Sequence, residues 1–226
     1  MNIILQGDDS KITINSINSE GVILSLKSYG DTSIYSELFI MDHGRLYASM
    51  PHYSPQKKII SRELQQFLWG NFELIKSKRT DKYYIRDINI ISDPSNININ
   101  RNSLYAALRW SKILARYLPS RHADNDLLIN LRDNMKLLEH PKIVPTRAAD
   151  FRFIWLWLKE WGIAPDLIDF YSSKGFNEPE IILLTQIQGL DAENVIKLFS
   201  YKLNGNIRQN SLNIAVKLAV TFFQQI

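Results

Sequence analysis

The 226-residue sequence contains no cysteine, and it has only nine Gly and eight Pro residues. Without cysteine the chain forms no disulfide and offers no thiolate to a metal. As a separate expectation, the sequence predicts no cofactor. The low Gly and Pro content excludes fibrous and low-complexity classes. No window approaches 18 uninterrupted apolar residues, and the short, acidic N-terminus does not resemble a signal peptide. These absences favour a cytoplasmic protein that does not enter a membrane.

Sequence motifs of common enzyme classes are missing as well. The chain has no G-x-x-x-x-G-K or G-x-G-x-x-G phosphate loop and no G-x-S-x-G nucleophile turn. Its four histidines are scattered without a paired spacing, which gives a metal site little support. We therefore predict no catalytic residues, although an unfamiliar type of enzyme stays open as an alternative.

Positive charge is concentrated in the middle of the chain. The formal net charge is only +4, but residues 45–86 carry +6 and residues 101–152 carry +5, whereas residues 1–44 carry −4. Two adjoining positive blocks are typical of a surface that binds an anionic partner by electrostatic attraction. The competing interpretation is that these charges simply cover a solvated face.

The first hundred residues show the alternation of β-strands. Asp42-His43-Gly44 predicts a hairpin connection, and Gly70 predicts a bulge in a long strand. Five short strands with polar connections predict a small closed barrel, and residues 2–16 predict an added edge hairpin. The predicted strands cover 21–29, 33–40, 45–50, 64–75 and 83–90.

Beyond a polar linker at 93–100 the apolar period changes to that of helices. The fold class is therefore α+β, with a β domain at 1–95 and an all-α helical domain at 101–226. The segment 151–161 is apolar on nearly all sides, which predicts a buried central helix. Six helices are predicted, beginning at Ser103, Asp124, Thr146, Asn177, Asp191 and Ser211.

Tyrosines and cations interleave in the β half, which is how small barrels hold single-stranded nucleic acid. The competing interpretation is that tyrosine favours strands and lysine protects exposed edges. Three further cations lie at i, i+3 and i+7 on the first predicted helix, so they share one face. The candidate DNA-binding residues are Lys27, Tyr29, Arg45, Tyr47, Lys57, Lys58, Arg62, Lys76, Lys78, Arg79, Lys82, Arg109, Lys112 and Arg116.

The order of these features resembles the RecO family of DNA recombination mediators. The similar segments are 21–33 (GVILSLKSYGDTS), 38–48 (LFIMDHGRLYA), 61–67 (SRELQQF) and 151–167 (FRFIWLWLKEWGIAPDL). The resemblance implies an N-terminal OB-fold barrel, here preceded by a short extension at 1–18, and a helical C-terminal domain. It also implies a cytoplasmic, nucleoid-associated protein without enzymatic turnover.

The resemblance further implies partners. Such proteins bind single- and double-stranded DNA, anneal strands, contact the acidic C-terminal tail of single-strand-binding protein, and act with RecR to load RecA. On this basis Arg132, Lys136, Arg147 and Arg152 are candidates for binding the tail, although they could equally pair with neighbouring acids.

Three departures from the family pattern leave an alternative open. The family's four-cysteine zinc site has no counterpart at 166–176, the loop at 50–58 is less basic than usual, and the extension at 1–18 is unusual. The alternative is a protein-interaction module of RecO-like fold whose DNA binding is weak or lost.

Overall fold

The computed structural model describes residues 16–29, 33–51, 64–77, 80, 82–202 and 209–224. This part of the chain is α+β, with a five-stranded mixed sheet followed by eight helices. The predicted edge hairpin at 2–16 lies almost entirely outside it. The strands are β1 (Ser16–Tyr29), β2 (Ser33–Ile40), β3 (Gly44–Pro51), β4 (Trp69–Lys76) and β5 (Tyr83–Ser92).

The five strands close into a barrel in the order β1-β2-β3-β5-β4, because β1 pairs with both β2 and β4. All neighbours are antiparallel except β3 and β5, which are parallel. The predicted hairpin joins β2 to β3, and the ladder between β4 and β5 shifts register at Gly70, where the sequence predicts a bulge. A Cβ on Gly70 would lie 2.8 Å from the Asn89 carbonyl oxygen, so glycine allows the two strands to approach closely.

A second bulge, in β1, decides which side chains point out of the barrel. Ile23 is paired with Leu38, but Ser25 is paired with Glu37, so Leu24 is the extra residue. The extra residue reverses the alternation: Ile23 is buried inside the barrel, whereas Lys27 is exposed. Without the bulge, Lys27 would share the inward face of Ile23.

The helices begin close to where the capping residues predict. Asp124 caps α3, Asn177 forms a capping box with Glu180, and the Asp191 carboxylate accepts from the Asn194 backbone N–H. The helices are α1 (Ser95–Ile99), α2 (Arg101–Tyr117), α3 (Asn125–Leu138), α4 (Thr146–Glu160), α5 (Leu167–Ser173), α6 (Glu178–Gly189), α7 (Ala192–Lys202) and α8 (Gln209–Gln224).

Several sequence predictions about the helices were wrong in detail, and the six predicted helices do not include α1 and α5. Asn100, not Ser103, caps α2, because Ser103 lies inside the helix and donates its hydroxyl to the Leu138 carbonyl. The predicted linker at 93–100 contains the short helix α1, which buries Ile97. The sequence did not predict this helix, because the segment is polar and a single buried side chain produces no helical periodicity of apolar residues.

Helix α4 is the buried centre of the helical part, as its composition predicts. Every residue from 148 to 155 is buried, and the helix contacts α2, α3, α6 and α8. Phe153 stacks on Trp110 with ring centroids 4.6 Å apart, and Phe151 lies edge-on to Tyr171. Burial also raises the pKa of Tyr171, whose hydroxyl donates to the Ala215 carbonyl.

Apolar packing joins the barrel to the helices. One cluster fills the barrel interior, and a second, larger cluster contains the helical core together with Val22, Phe39 and Trp69 from the strands. The strands end at 92 and the helices begin at 95. The division into two independent domains stays a prediction, because this second cluster includes residues from both parts.

The hairpin between β2 and β3 fits tightly against the connection between α2 and α3. The Asn125 side chain accepts from the Asp42 backbone N–H at 2.8 Å and donates to the Asp42 carboxylate at 2.6 Å. Gly44 adopts a φ of 71°, and a Cβ there would lie 2.2 Å from the His122 carbonyl oxygen. Both the conformation and the contact require glycine at this position.

Within the described ranges no helix has the length and apolar character that crossing a bilayer requires.

Substituting Gly44 tests this contact. We expect Gly44→Ala to lower the free energy of unfolding by about 3 kcal/mol, because conformational strain and a backbone clash act together. Gly162 is the matched control, since its φ is 69° and no atom lies within 4 Å of its Cβ position. Gly162→Ala should therefore cost only about 1 kcal/mol from the conformation alone. Urea unfolding measures both variants, and an equal loss of unfolding free energy in Gly44→Ala and Gly162→Ala would contradict the proposed clash.

Candidate nucleic-acid interface

A row of side chains crosses four strands on the outer surface of the barrel. Lys27 is paired in register with Tyr35, Tyr35 with Ser49, and Ser49 with Tyr84. Residues directly opposite each other in a sheet lie on the same face, so the row extends from β1 to β5. The residues one place away in the same strands, such as Ala48, are buried in the barrel.

Cations and rings contact each other in this row. The Lys82 ammonium lies 5.1 Å from the centre of the Tyr35 ring, within cation–π range. The Tyr47 and Tyr84 side chains are 53% and 49% exposed. We call Lys27, Tyr35, Tyr47, Lys82 and Tyr84 the barrel face.

Tyr35 is not among the binding residues predicted from the sequence, although the alternation of apolar residues in its strand indicates that it points outward. Ile34, Leu38 and Ile40 alternate as inward positions, which leaves Tyr35 pointing outward. What the sequence does not show is that Tyr35 faces Lys27 and Lys82 on neighbouring strands. Tyr84 is one of the tyrosines that interleave with cations in the β half, and its exposure follows from the register of β5.

Arg45 lies on the same side of β3 as Tyr47, but it differs from the expectation for a DNA-binding residue. It is 7% exposed, and its guanidinium donates to the Glu37 carboxylate at 2.5 Å. The α2–α3 connection covers it: the Arg121 N–H and the Ser120 hydroxyl both donate to the Arg45 carbonyl. Because Arg45 is buried in this contact, we exclude it from the interface.

The remaining predicted residues of the β half are not assigned to the barrel face. Tyr29 is the last residue of β1, and Lys76 is half-buried at the end of β4. The other predicted cations of this half lie outside the described residues: Lys57, Lys58, Arg62, Lys78 and Arg79.

The three predicted cations of α2 share one side of the helix, as their spacing predicts. Arg109, Lys112 and Arg116 line a surface pocket of about 230 Å³ whose other walls include Ile113 and Val220. Lys112 and Arg116 are exposed, whereas Arg109 donates to the buried Asp150 at 2.7 Å. Two of the three are therefore exposed, whereas Arg109 is paired with Asp150 and keeps 34% of its side chain exposed.

The four predicted partner-binding residues separate into three places. Arg132 and Lys136 line a pocket of about 430 Å³ between β4, β5, α3 and α7, which we call the junction pocket. Arg147 lies at the start of α4 and donates to Asp150 at 3.3 Å. Arg152 is buried and donates twice to the Leu190 carbonyl, at 2.9 and 3.1 Å. Burial lowers the pKa of Arg152, and we assign it to the helical core rather than to a partner site.

The junction pocket combines an apolar floor with charged walls. Its apolar residues are Phe67, Trp69, Ile91, Met135, Ala192 and Ile196. Arg132 also donates to Glu20 at 3.0 Å, and Lys136 lies 3.7 Å from Asp133. Glu139 lines the same pocket, and burial raises the pKa of its carboxyl group. Such a site fits an apolar side chain presented beside charged groups.

Comparisons with known proteins do not assign the chain to a family. No protein-family model matches it, and no curated protein sequence matches it. The structure is similar to the aspartyl tRNA synthetase from Entamoeba histolytica at 9% identity and a TM-score of 0.28. The match covers 81% of this chain and 43% of the synthetase, a likeness too slight to carry an argument. In the described part of the chain, no group of three or more metal-ligating side chains is found.

Removing Arg45 distinguishes a structural cation from a surface cation. Arg45→Ala should lower the free energy of unfolding by about 3–5 kcal/mol, because Glu37 would keep a buried charge without its partner. Lys27→Ala removes the same charge from an exposed position and should change stability by about 0.5 kcal/mol or less. Urea unfolding of both variants checks this, and a small loss for Arg45→Ala would return Arg45 to the candidate interface.

Proposed function

We propose that this protein binds single-stranded DNA across the barrel face and acts as a recombination mediator of the RecO type. The observation that supports the proposal is that the barrel face brings two exposed tyrosine rings and the half-buried ring of Tyr35 together with Lys27 and Lys82. Rings stack on bases of any sequence, and the ammonium groups neutralise the phosphates between them. The same surface would bind double-stranded DNA through its charge alone.

The strand topology supports the proposal that the barrel is an OB-fold. A five-stranded barrel in the order 1-2-3-5-4 with a parallel pair between its third and fifth strands has the Greek-key character of that fold. OB-folds bind oligonucleotides on the face of their second and third strands. Tyr35 lies on β2 and Tyr47 on β3, so the barrel face occupies the corresponding position.

Strand annealing follows from this kind of surface. Stacking and phosphate neutralisation hold a strand without reading its base edges, so the Watson–Crick groups stay available to a complementary strand. Neutralising the phosphates also reduces the repulsion between the two backbones. Neither step requires a catalytic group, so we propose that the protein is not an enzyme.

The junction pocket is our proposed site for the C-terminal tail of single-strand-binding protein. An apolar side chain would occupy the floor around Trp69 and Met135, while Lys136, whose side chain is 54% exposed, would meet the acidic residues. Participation of RecR and loading of RecA come from the resemblance and stay predictions.

DNA binding is tested with a fluorescent oligothymidine and anisotropy at several salt concentrations. Tyr84→Ala should weaken binding by about 1–3 kcal/mol because one base loses its stacking ring. Tyr84→Phe keeps the ring and should bind like the parent protein. If Tyr84→Ala binds as tightly as Tyr84→Phe, the proposed stacking face is wrong.

The electrostatic part of the proposal has its own test. Each phosphate contact contributes about −0.7 to the log–log salt dependence for single strands, so Lys27→Ala with Lys82→Ala should make the slope shallower by about 1.4. Lys159→Ala with Lys174→Ala removes two exposed cations of the helical part and should leave the slope unchanged. Equal slopes for the two double variants would show that the barrel face does not carry the contacts.

The alternative function is a protein-interaction module with weak or lost DNA binding. It is favoured by the engagement of Arg45, Arg109 and Arg152 inside the fold, which reduces the accessible charge. Binding of an acidic peptide ending in Phe, measured beside DNA binding, distinguishes the two proposed functions. Lys136→Glu should weaken peptide binding at least tenfold and leave DNA binding intact. Lys197→Glu, an exposed charge reversal on α7, is the control. A parent protein that binds the peptide but no DNA would establish the alternative.

A further inference from the structure

We propose that a polar pocket between α2, the start of α4 and α8 binds a phosphate group. The pocket has a volume of about 430 Å³ and is distinct from the barrel face and from the junction pocket. We call it the arginine pocket. Its lining residues are Asn102, Tyr105, Arg109, Pro141, Pro145, Thr146, Arg147, Asp150 and Asn213.

One buried carboxylate holds two guanidinium groups together in this pocket. Asp150 is fully buried, and its Oδ2 accepts from Arg109 at 2.7 Å and from Arg147 at 3.3 Å. Its other oxygen accepts from the Trp110 indole N–H at 2.9 Å. The carboxylate therefore fixes both arginine forks on one side of the pocket, and no rearrangement is needed to present them to an anion.

The pocket keeps an excess of positive charge and of hydrogen-bond donors. Two guanidinium groups face a single carboxylate, so one positive charge is not neutralised within the cluster. The Arg109 Nε is buried without a hydrogen-bond partner, although a guanidinium has five N–H groups to satisfy. The Arg109 and Arg147 side chains both line the pocket and are 34% and 42% exposed, so each guanidinium, apart from the buried Arg109 Nε, offers donors to a bound anion.

The start of α4 adds a second source of positive potential. Pro145 stands at the N-cap position of this 15-residue helix, and no side chain caps it. The first backbone N–H groups and the positive end of the helix dipole therefore lie where Thr146 and Arg147 line the pocket. The Thr146 hydroxyl and the two asparagine amides supply neutral groups that bind phosphate oxygens or an attached hydroxyl.

Charge, geometry and size together favour phosphate. Arginine forks match the oxygens of a tetrahedral anion in a bidentate manner, and an uncapped helix start binds the same group. The pocket is larger than a bare phosphate and falls in the range of small-ligand sites, which leaves room for an attached sugar near Tyr105. Free phosphate and a nucleoside monophosphate share this chemistry, and the experiment distinguishes the two sources.

Isothermal titration with inorganic phosphate, thymidine 5′-monophosphate and thymidine tests the proposal at constant ionic strength. We expect both phosphates to bind and thymidine to bind at least tenfold more weakly. Tighter binding of the monophosphate than of inorganic phosphate would identify a nucleotide as the source, and equal affinity would identify free phosphate. The Trp110 indole N–H signal in NMR should shift during the titration, because Trp110 shares the carboxylate that holds both arginines.

Arg147→Gln is the informative variant, because Arg147 is the more exposed and more distant of the two partners of Asp150. It should weaken phosphate binding at least fivefold while thermal unfolding confirms that the protein stays folded. Lys112→Ala removes a nearby exposed cation of α2 that does not line the pocket, and it should bind phosphate normally. Undetectable binding of both phosphates to the parent protein, or unchanged affinity in Arg147→Gln, would overturn the proposal. Lys27→Ala with Lys82→Ala should keep phosphate binding, so this result is independent of the proposed DNA function.

Discussion

Burial of one end of the barrel's outer surface against the helices is the constraint on which the rest of the structure depends. Phe39 and Trp69 point away from the barrel interior, and the core of the helical part covers them. The hairpin at Gly44 can approach the α2–α3 connection only because it lacks a side chain. This contact buries Arg45 together with Glu37, whereas Tyr47, two residues further along β3, is 53% exposed.

Lys27, Lys82 and the rings of Tyr47 and Tyr84 remain exposed on the barrel, and this is how a chain of modest net charge could present the binding surface that we propose. Several of its arginines hold the fold together instead of facing solvent. Arg109 and Arg147 share the buried Asp150, and Arg152 is bonded to the end of α6 through the Leu190 carbonyl. An unpaired charge in these positions would be costly because it is removed from water. The internal contacts of these arginines are therefore needed for stability, whatever the function of the protein.

Much of the fold was predictable because its signals are local. The alternation of apolar and polar residues predicted the strands, and the Asp42-His43-Gly44 turn predicted the hairpin. The capping residues Asp124 and Asn177 predicted the starts of two helices. The site was predicted only in part. Of the candidate DNA-binding residues, Tyr47 and Lys82 are exposed and Arg45 is buried, and Tyr35 was not among the candidates. A list of cations cannot show which of them meet a carboxylate distant in sequence.

By itself the sequence determined the change from strands to helices along the chain, the buried character of α4 and the location of the two positive blocks, since these follow from patterns within short segments. Only the tertiary structure decided which charges face solvent. The bulge at Leu24 turns Lys27 outward, the register of β2 places Tyr35 beside it, and Asp150 brings together arginines 38 residues apart in the chain. Each of these depends on pairing between distant segments, which burial and hydrogen bonding fix and local pattern does not encode.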